Sequence, residues 1–215
     1  MNNSKTAEIV MPKNRLEALS DGVFAIVLTL LILEIKVPES INLSNPEMLN
    51  ELFLKLPLFG TYFLSFALIT NFWVAHHYMY IYRAKNVDRV IMLINNLYLC
   101  VLSLIPFSSH FLGVHINSPI AAIFYGLNIT LLSAIFLWMS EYAIKSEHID
   151  TEVVNLRTRR QGQARQYITF GFNALGVIFA FVNIPFALFL YLFPVIFNIL
   201  PGSLNFLEKL FGFKL

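Results

Sequence analysis

Apolar and polar positions alternate along this chain in long blocks. Six apolar runs, at roughly 15–34, 56–79, 90–112, 119–143, 166–183 and 185–200, are separated by polar connections. The first opens with charge at Arg15 and Glu17, passes Ser20 and Asp21, and then stays apolar to Leu33. From Glu17 to Lys36 it makes about 30 Å of helix at ~1.5 Å per residue, the thickness of a bilayer's hydrocarbon. The pattern predicts an all-α integral membrane protein with six transmembrane helices.

This pattern divides the chain into an N-terminal segment at 1–14, a six-helix transmembrane domain at 15–202, and a short interfacial tail at 203–215. Pro12 keeps the polar start from extending the first helix. Residues 38–55 read as a connection and 144–163 as a solvated linker. The first run exceeds a signal-peptide core, and Glu34-Ile-Lys-Val-Pro is a poor cleavage site, so the helix is expected to be retained. The last two runs meet at Asn183-Ile-Pro185, and Pro194 and Pro201 interrupt the final one and its exit. Region 166–200 therefore reads either as two crossings or as one crossing with a re-entrant piece.

Composition agrees with a membrane protein. At 57% hydrophobic and 13% charged, with 21 Phe, the chain is too apolar to hide its hydrophobic surface in one soluble core. The sequence carries no nucleic-acid footprint. The distribution of charge tells more than its net value of +2. With six spans, only Lys36 and Lys55 fall on one side. The other side takes Lys5, Lys13 and Arg15, then Arg83, Lys85 and Arg89, then Lys145 and Arg157 to Arg165, then Lys209 and Lys214. The positive-inside bias places both termini in the cytoplasm and the chain in the cell membrane; five or seven spans would break the alternation. Cys100 is the single cysteine, so no intrachain disulfide forms, and it reads as a small buried hydrophobe.

Polar groups inside the spans are the candidate chemistry. A carboxylate at a helix centre costs roughly 2.5–3.5 kcal/mol on insertion scales, so it needs protein or water around it. Asp21, Trp73, His76, His77, Asn95 and Asn96 all lie on the order of 6–14 Å from the cytoplasmic helix ends and can meet in one layer. At ~100° per residue, His76 and His77 fall roughly 60° and 40° to either side of Trp73, so the three share a face of the second helix. That layer reads as a hydrogen-bonded network that fixes helix register, as a proton relay, or as a metal site. Adjacent histidines diverge by about 100°, which suits a metal poorly.

The first helix has two sides. Gly22, Ile26, Thr29, Leu30 and Leu33 fall within roughly 60° of Ile26, whereas Ser20 and Asp21 lie roughly 120–140° away and can face the second and third helices. Periodicity leaves open whether the first stripe meets lipid, core or pore.

Taken together, Arg15-x-x-x-Leu19-Ser20-Asp21, Trp73-x-x-His76-His77, and Asn95/Asn96 followed by Pro106-Phe107 resemble the prokaryotic branch of the endosomal and lysosomal potassium channel family. That family lacks the Thr-Val-Gly-Tyr-Gly filter, which is absent here too. Its signature is Arg-x-x-x-Phe-Ser-Asp, and this chain departs from it at Leu19. The resemblance implies a homotetramer in which the first helix of each subunit lines a central pore. On it, Ile26 forms the constriction, Leu30 and Leu33 the next apolar layers, Thr29 a threonine layer, and Gly22 belongs to the same face. Arg15, Ser20, Asp21, Trp73, His76 and His77, with Asn95 and Asn96, match the polar network that holds the pore helices. The implied activity is that of a potassium-preferring cation channel, not an enzyme. It needs no metal or cofactor beyond the permeant potassium ion, and its partners are the bilayer and its own copies. A proton-permeable or proton-coupled cation transporter working through Asp21, His76 and His77 is the alternative. No span carries a regular Arg or Lys ladder, so steep voltage gating is not expected.

Overall fold

The computed structural model of the chain describes residues 11–36, 44–82, 86–146, 156–205 and 209. Its first long helix, α1 (Asn14–Leu33), places Glu17 in its first turn, where a carboxylate suits the helix dipole. Leu16, Ser20, Phe24, Val27 and Leu31 recur at helical spacing and are buried, so one stripe of α1 packs into the bundle.

The connection expected at 38–55 contains a short helix, α2 (Asn45–Leu54), with Pro46 in its first turn. Glu47 Oε2 accepts from the backbone N–H of Ser44 at 2.8 Å and from its hydroxyl at 2.7 Å, closing the helix start. None of its residues is buried. Helix α3 (Leu56–Tyr82) then crosses back.

A two-residue clasp joins the two ends of this unit. Strand β1 (Met11–Pro12) pairs antiparallel with β2 (Asn86–Val87), tying the start of α1 to the chain just ahead of Asp88. The Lys13 ammonium, in that same corner, bonds the Tyr80 carbonyl and lies 3.5 Å from Glu17.

The third span differs from the single helix expected at 90–112. It consists of α4 (Arg89–Leu102) and α5 (Ile105–Val114), with the break at Ser103 and Leu104. Pro106 has no N–H to offer the Leu102 carbonyl, and its ring excludes a regular helix there. The Ser103 hydroxyl instead donates to the Cys100 carbonyl at 2.7 Å. Cys100 itself is exposed on the protomer surface, contrary to expectation, because the buried phase of α4 runs through Ile91, Ile94, Asn95, Tyr98 and Leu102. The buried Asp88 carboxylate caps α4, accepting from the Ile91 N–H at 2.8 Å and the Tyr142 hydroxyl at 2.5 Å.

Helix α6 (Pro119–Lys145) packs against α4, α5 and α7. Helix α7 (Leu156–Phe179) begins about ten residues before the predicted span, so its first turns are polar and shorten the expected linker. Asn183 ends the tight turn and caps α8 (Ile184–Ile199), accepting from the Phe186 N–H at 2.9 Å. The hairpin of α7 and α8 closes by ring stacking, with Phe172 and Phe193 centroids 4.3 Å apart. Tyr191 wedges between α6 and α7 and donates to the Ala122 carbonyl at 3.1 Å. A Cβ at Gly126 would stand 2.0 Å from its hydroxyl oxygen and one at Gly176 2.3 Å from its ring, so this close approach requires both glycines.

Four stretches are long and apolar enough to cross a membrane: α1, α3, the α4–α5 pair and α6, with mean hydropathies of 1.5 to 2.1. At 16 residues α8 reaches about 24 Å, most of a hydrocarbon core. Ser203 to Asn205 form a helical turn, while most of the expected interfacial tail lies outside the described residues.

Candidate functional site: a polar layer behind an exposed helix face

Asn95 of α4 is the centre of the polar layer. Its side-chain carbonyl accepts from His76 Nε2 at 2.8 Å and from the Tyr80 hydroxyl at 3.3 Å, and lies 3.4 Å from Ser20 Oγ. Its amide donates back to Ser20 Oγ at 3.1 Å, and Ser20 also donates to the Leu16 carbonyl at 2.8 Å. Asn95, Ser20, His76 and Tyr80 are all buried, so α1, α3 and α4 are joined by hydrogen bonds away from water.

Aromatic rings wall this centre. The His76 imidazole stacks on Tyr98 at 5.5 Å between centroids and meets Tyr80 at 4.9 Å and Phe24 at 5.6 Å edge-on. Sequence reasoning misses Tyr80, Tyr98 and Phe24. Their signal is nevertheless present: each sits three or four residues from a residue of the predicted layer, the spacing that places side chains on one helix face.

The layer expected as one network is two. Asp21 is exposed and accepts from the Trp73 indole N–H at 2.9 Å, and the Trp73 and His77 rings stack 5.8 Å apart. His76 and His77 therefore separate, one inward and one outward, as consecutive helix positions must. Two expected members stay outside both groups. Asn96 is exposed because its neighbour Asn95 points into the core. Arg15 is exposed too: at ~100° per residue it falls within roughly 20° of Ile26, on the opposite side of α1 from the core stripe.

That opposite side is the second half of the site. Ile26 is 58%, Leu30 41% and Leu33 68% exposed, and Gly22 and Thr29 are exposed beside them. Leu19, 51% exposed, extends the stripe toward Arg15. The Thr29 hydroxyl lies 2.8 Å from the Ile26 carbonyl and 3.0 Å from the Ala25 carbonyl, so its proton is held by its own helix and its lone pairs face outward. At the outer end, Glu34 Oε2 lies 3.7 Å from His110 Nδ1, leaning on α5 of its own subunit.

The chain resembles known proteins over these same elements. The family described as "Endosomal/lysosomal potassium channel TMEM175" matches residues 15–106, from Arg15 through the polar layer to Pro106. A protein named as a potassium channel from Streptomyces collinus is 34% identical, over 81% of this chain and 85% of its own length. Another so named, from a Chryseobacterium species, is 30% identical, over 80% and 84%. The fold matches the crystal structure of a lysosomal potassium-selective channel TMEM175 homolog from Chamaesiphon minutus. That match has a TM-score of 0.76 and 24% identity, covering 86% of this chain and 95% of that one. This chain is a member of the TMEM175 potassium channel family.

Proposed function

We propose that four copies of this chain assemble in the cell membrane as a potassium-preferring cation channel, with the exposed face of α1 from each copy lining one central pore. The observation that carries the reading is the pairing of that apolar face with an exposed carboxylate on the same helix. Asp21 lies about 10 Å from the helix start, where contact with acyl chains is unfavourable, so the Asp21, Trp73 and His77 edge calls for protein or water beside it. A single helix cannot enclose a pore, and closed symmetry supplies the remaining walls. The relatives' shared name supports potassium as the cargo. No cofactor enters the proposal.

Within such a pore, rings of Ile26, Leu30 and Leu33 would hold back ions by dewetting when narrow and pass a partly hydrated cation when wider. Thr29 offers outward lone pairs between the Ile26 and Leu33 layers, the contact a partly dehydrated potassium ion needs. The buried Ser20, Asn95 and His76 bonds hold each α1 at a fixed height against α3 and α4. Protein reconstituted into planar bilayers and recorded in opposed potassium and sodium gradients tests this. Potassium-preferring steps are expected, with Ile26→Asn increasing or deranging the current. Electrically silent membranes, or conductance and selectivity unmoved by Ile26→Asn, would refute the pore.

A further inference from the structure

A cavity of about 430 Å³ opens between α3, α6, α7 and α8. Along α7 it runs from Thr158 to Thr169, about 16 Å of helix. Arg159 lies in the first turn of α7, on the side that the charge distribution assigns to the cytoplasm, and Arg165 lies between the two ends. The walls from α3 and α6 are largely apolar, with Phe72, Ala75, Met79 and Phe136. Among the described residues, no acidic side chain lines the cavity.

The deeper polar groups are largely satisfied within the protein. Thr169 donates to the Arg165 carbonyl at 2.8 Å and accepts from Asn198 at 3.2 Å, and Ser133 donates to the Ile129 carbonyl at 2.7 Å. Arg165 and Gln166 keep unused capacity. Arg165 spends only Nη1 on the Phe197 and Asn198 carbonyls and the Asn198 side chain, at 3.2 to 3.5 Å. Its Nε and Nη2 have no hydrogen-bond partner among the described residues, and the buried Gln166 Oε1 likewise has none.

We infer that this cavity is a binding site for an anionic phospholipid of the cytoplasmic leaflet, with its phosphate at Arg165 and Arg159 and an acyl chain along Phe72, Ala75 and Phe136. The guanidinium fork matches phosphate geometry, and basic pockets between helices on the cytoplasmic side are where acidic headgroups collect. Phosphatidylglycerol fits best, because its glycerol hydroxyls supply the donor that Gln166 Oε1 lacks. The inference does not depend on the pore, and a silent channel would leave it standing.

The full chain purified in detergent is titrated with phosphatidylglycerol, phosphatidylcholine or inorganic phosphate, reading thermal stability and bound lipid by native mass spectrometry. Saturable stabilisation by phosphatidylglycerol alone is expected, weakened about tenfold by Arg159→Gln, a typical loss for one charge-assisted bond. Ala75→Trp, which fills the apolar wall, should remove bound lipid and leave the phosphatidylcholine baseline unchanged. Equal effects of the two lipids would overturn the proposal. So would inorganic phosphate reproducing the stabilisation, or phosphatidylglycerol binding that neither variant alters.

Discussion

Replacing Asn95 with Leu removes the one group on which three helices converge. The His76 Nε2 and Tyr80 hydroxyl lose their only described partner, whereas Ser20 keeps its bond to Leu16. A buried polar group left without a partner costs about 1–3 kcal/mol, so two set the loss at about 2–6 kcal/mol. Hydrogen bonds in membrane proteins average about 0.6 kcal/mol each, and the three that link Asn95 to different side chains then give about 2 kcal/mol, the lower end of that range. Asn96→Leu is the matched control. It is the same change one residue along, at an exposed position with no described partner, and should cost no more than about 0.5 kcal/mol. Unfolding in a denaturing-detergent titration, followed by far-ultraviolet circular dichroism, measures both. Losses that agree within about 0.5 kcal/mol would refute Asn95 as the hub.

Two further changes probe other parts of the frame. Gly126→Ala and Gly176→Ala each drive a methyl into the buried Tyr191 ring and should cost about 1–3 kcal/mol in the same titration, whereas Gly171→Ala, with open space at its Cβ, should not destabilise. The hydrogen bonds from Ser44 hold the Glu47 carboxyl below the usual carboxylate range. A lowered folded-state value means that the capping contribution is complete above the unfolded value and is lost as pH falls through the folded one. The protection of the Met48 and Leu49 amides, taken relative to the intrinsic exchange rate at each pH, should therefore be high at neutral pH and fall in acid, and Glu47→Gln should abolish that fall.

Hydropathy and charge alternation revealed the order of helices because bilayer thickness and the positive-inside bias act on long windows of sequence. Helical phase likewise separated the core side of α1 from its exposed stripe, since Ser20 and Ile26 differ by about a third of a turn. The features that escaped were set by single contacts. The break between α4 and α5 comes from one missing N–H at Pro106 in an otherwise uniform apolar run. The polar layer split because depth placed Asp21 and Asn95 together while phase turned one outward and the other inward. Asn96 stands next to a true member of the layer and Arg15 five residues before one, offsets of roughly 100° and 140° that turn both side chains outward. The polar start of α7 reads as a linker because its partners, Glu141 for Gln163 and Asn198 for Arg165, come from distant parts of the chain.

The central claim is that one face of α1 borders an ion path and the other does not. Single cysteines along α1, in a Cys100→Ser background, exposed to a cationic thiol reagent during bilayer recording test it most directly. The account predicts that modification at Ile26, Leu30 and Leu33 alters the current while Phe24, Val27 and Leu31 stay silent. Modification that acts equally on both sets, or only on the second, would contradict it.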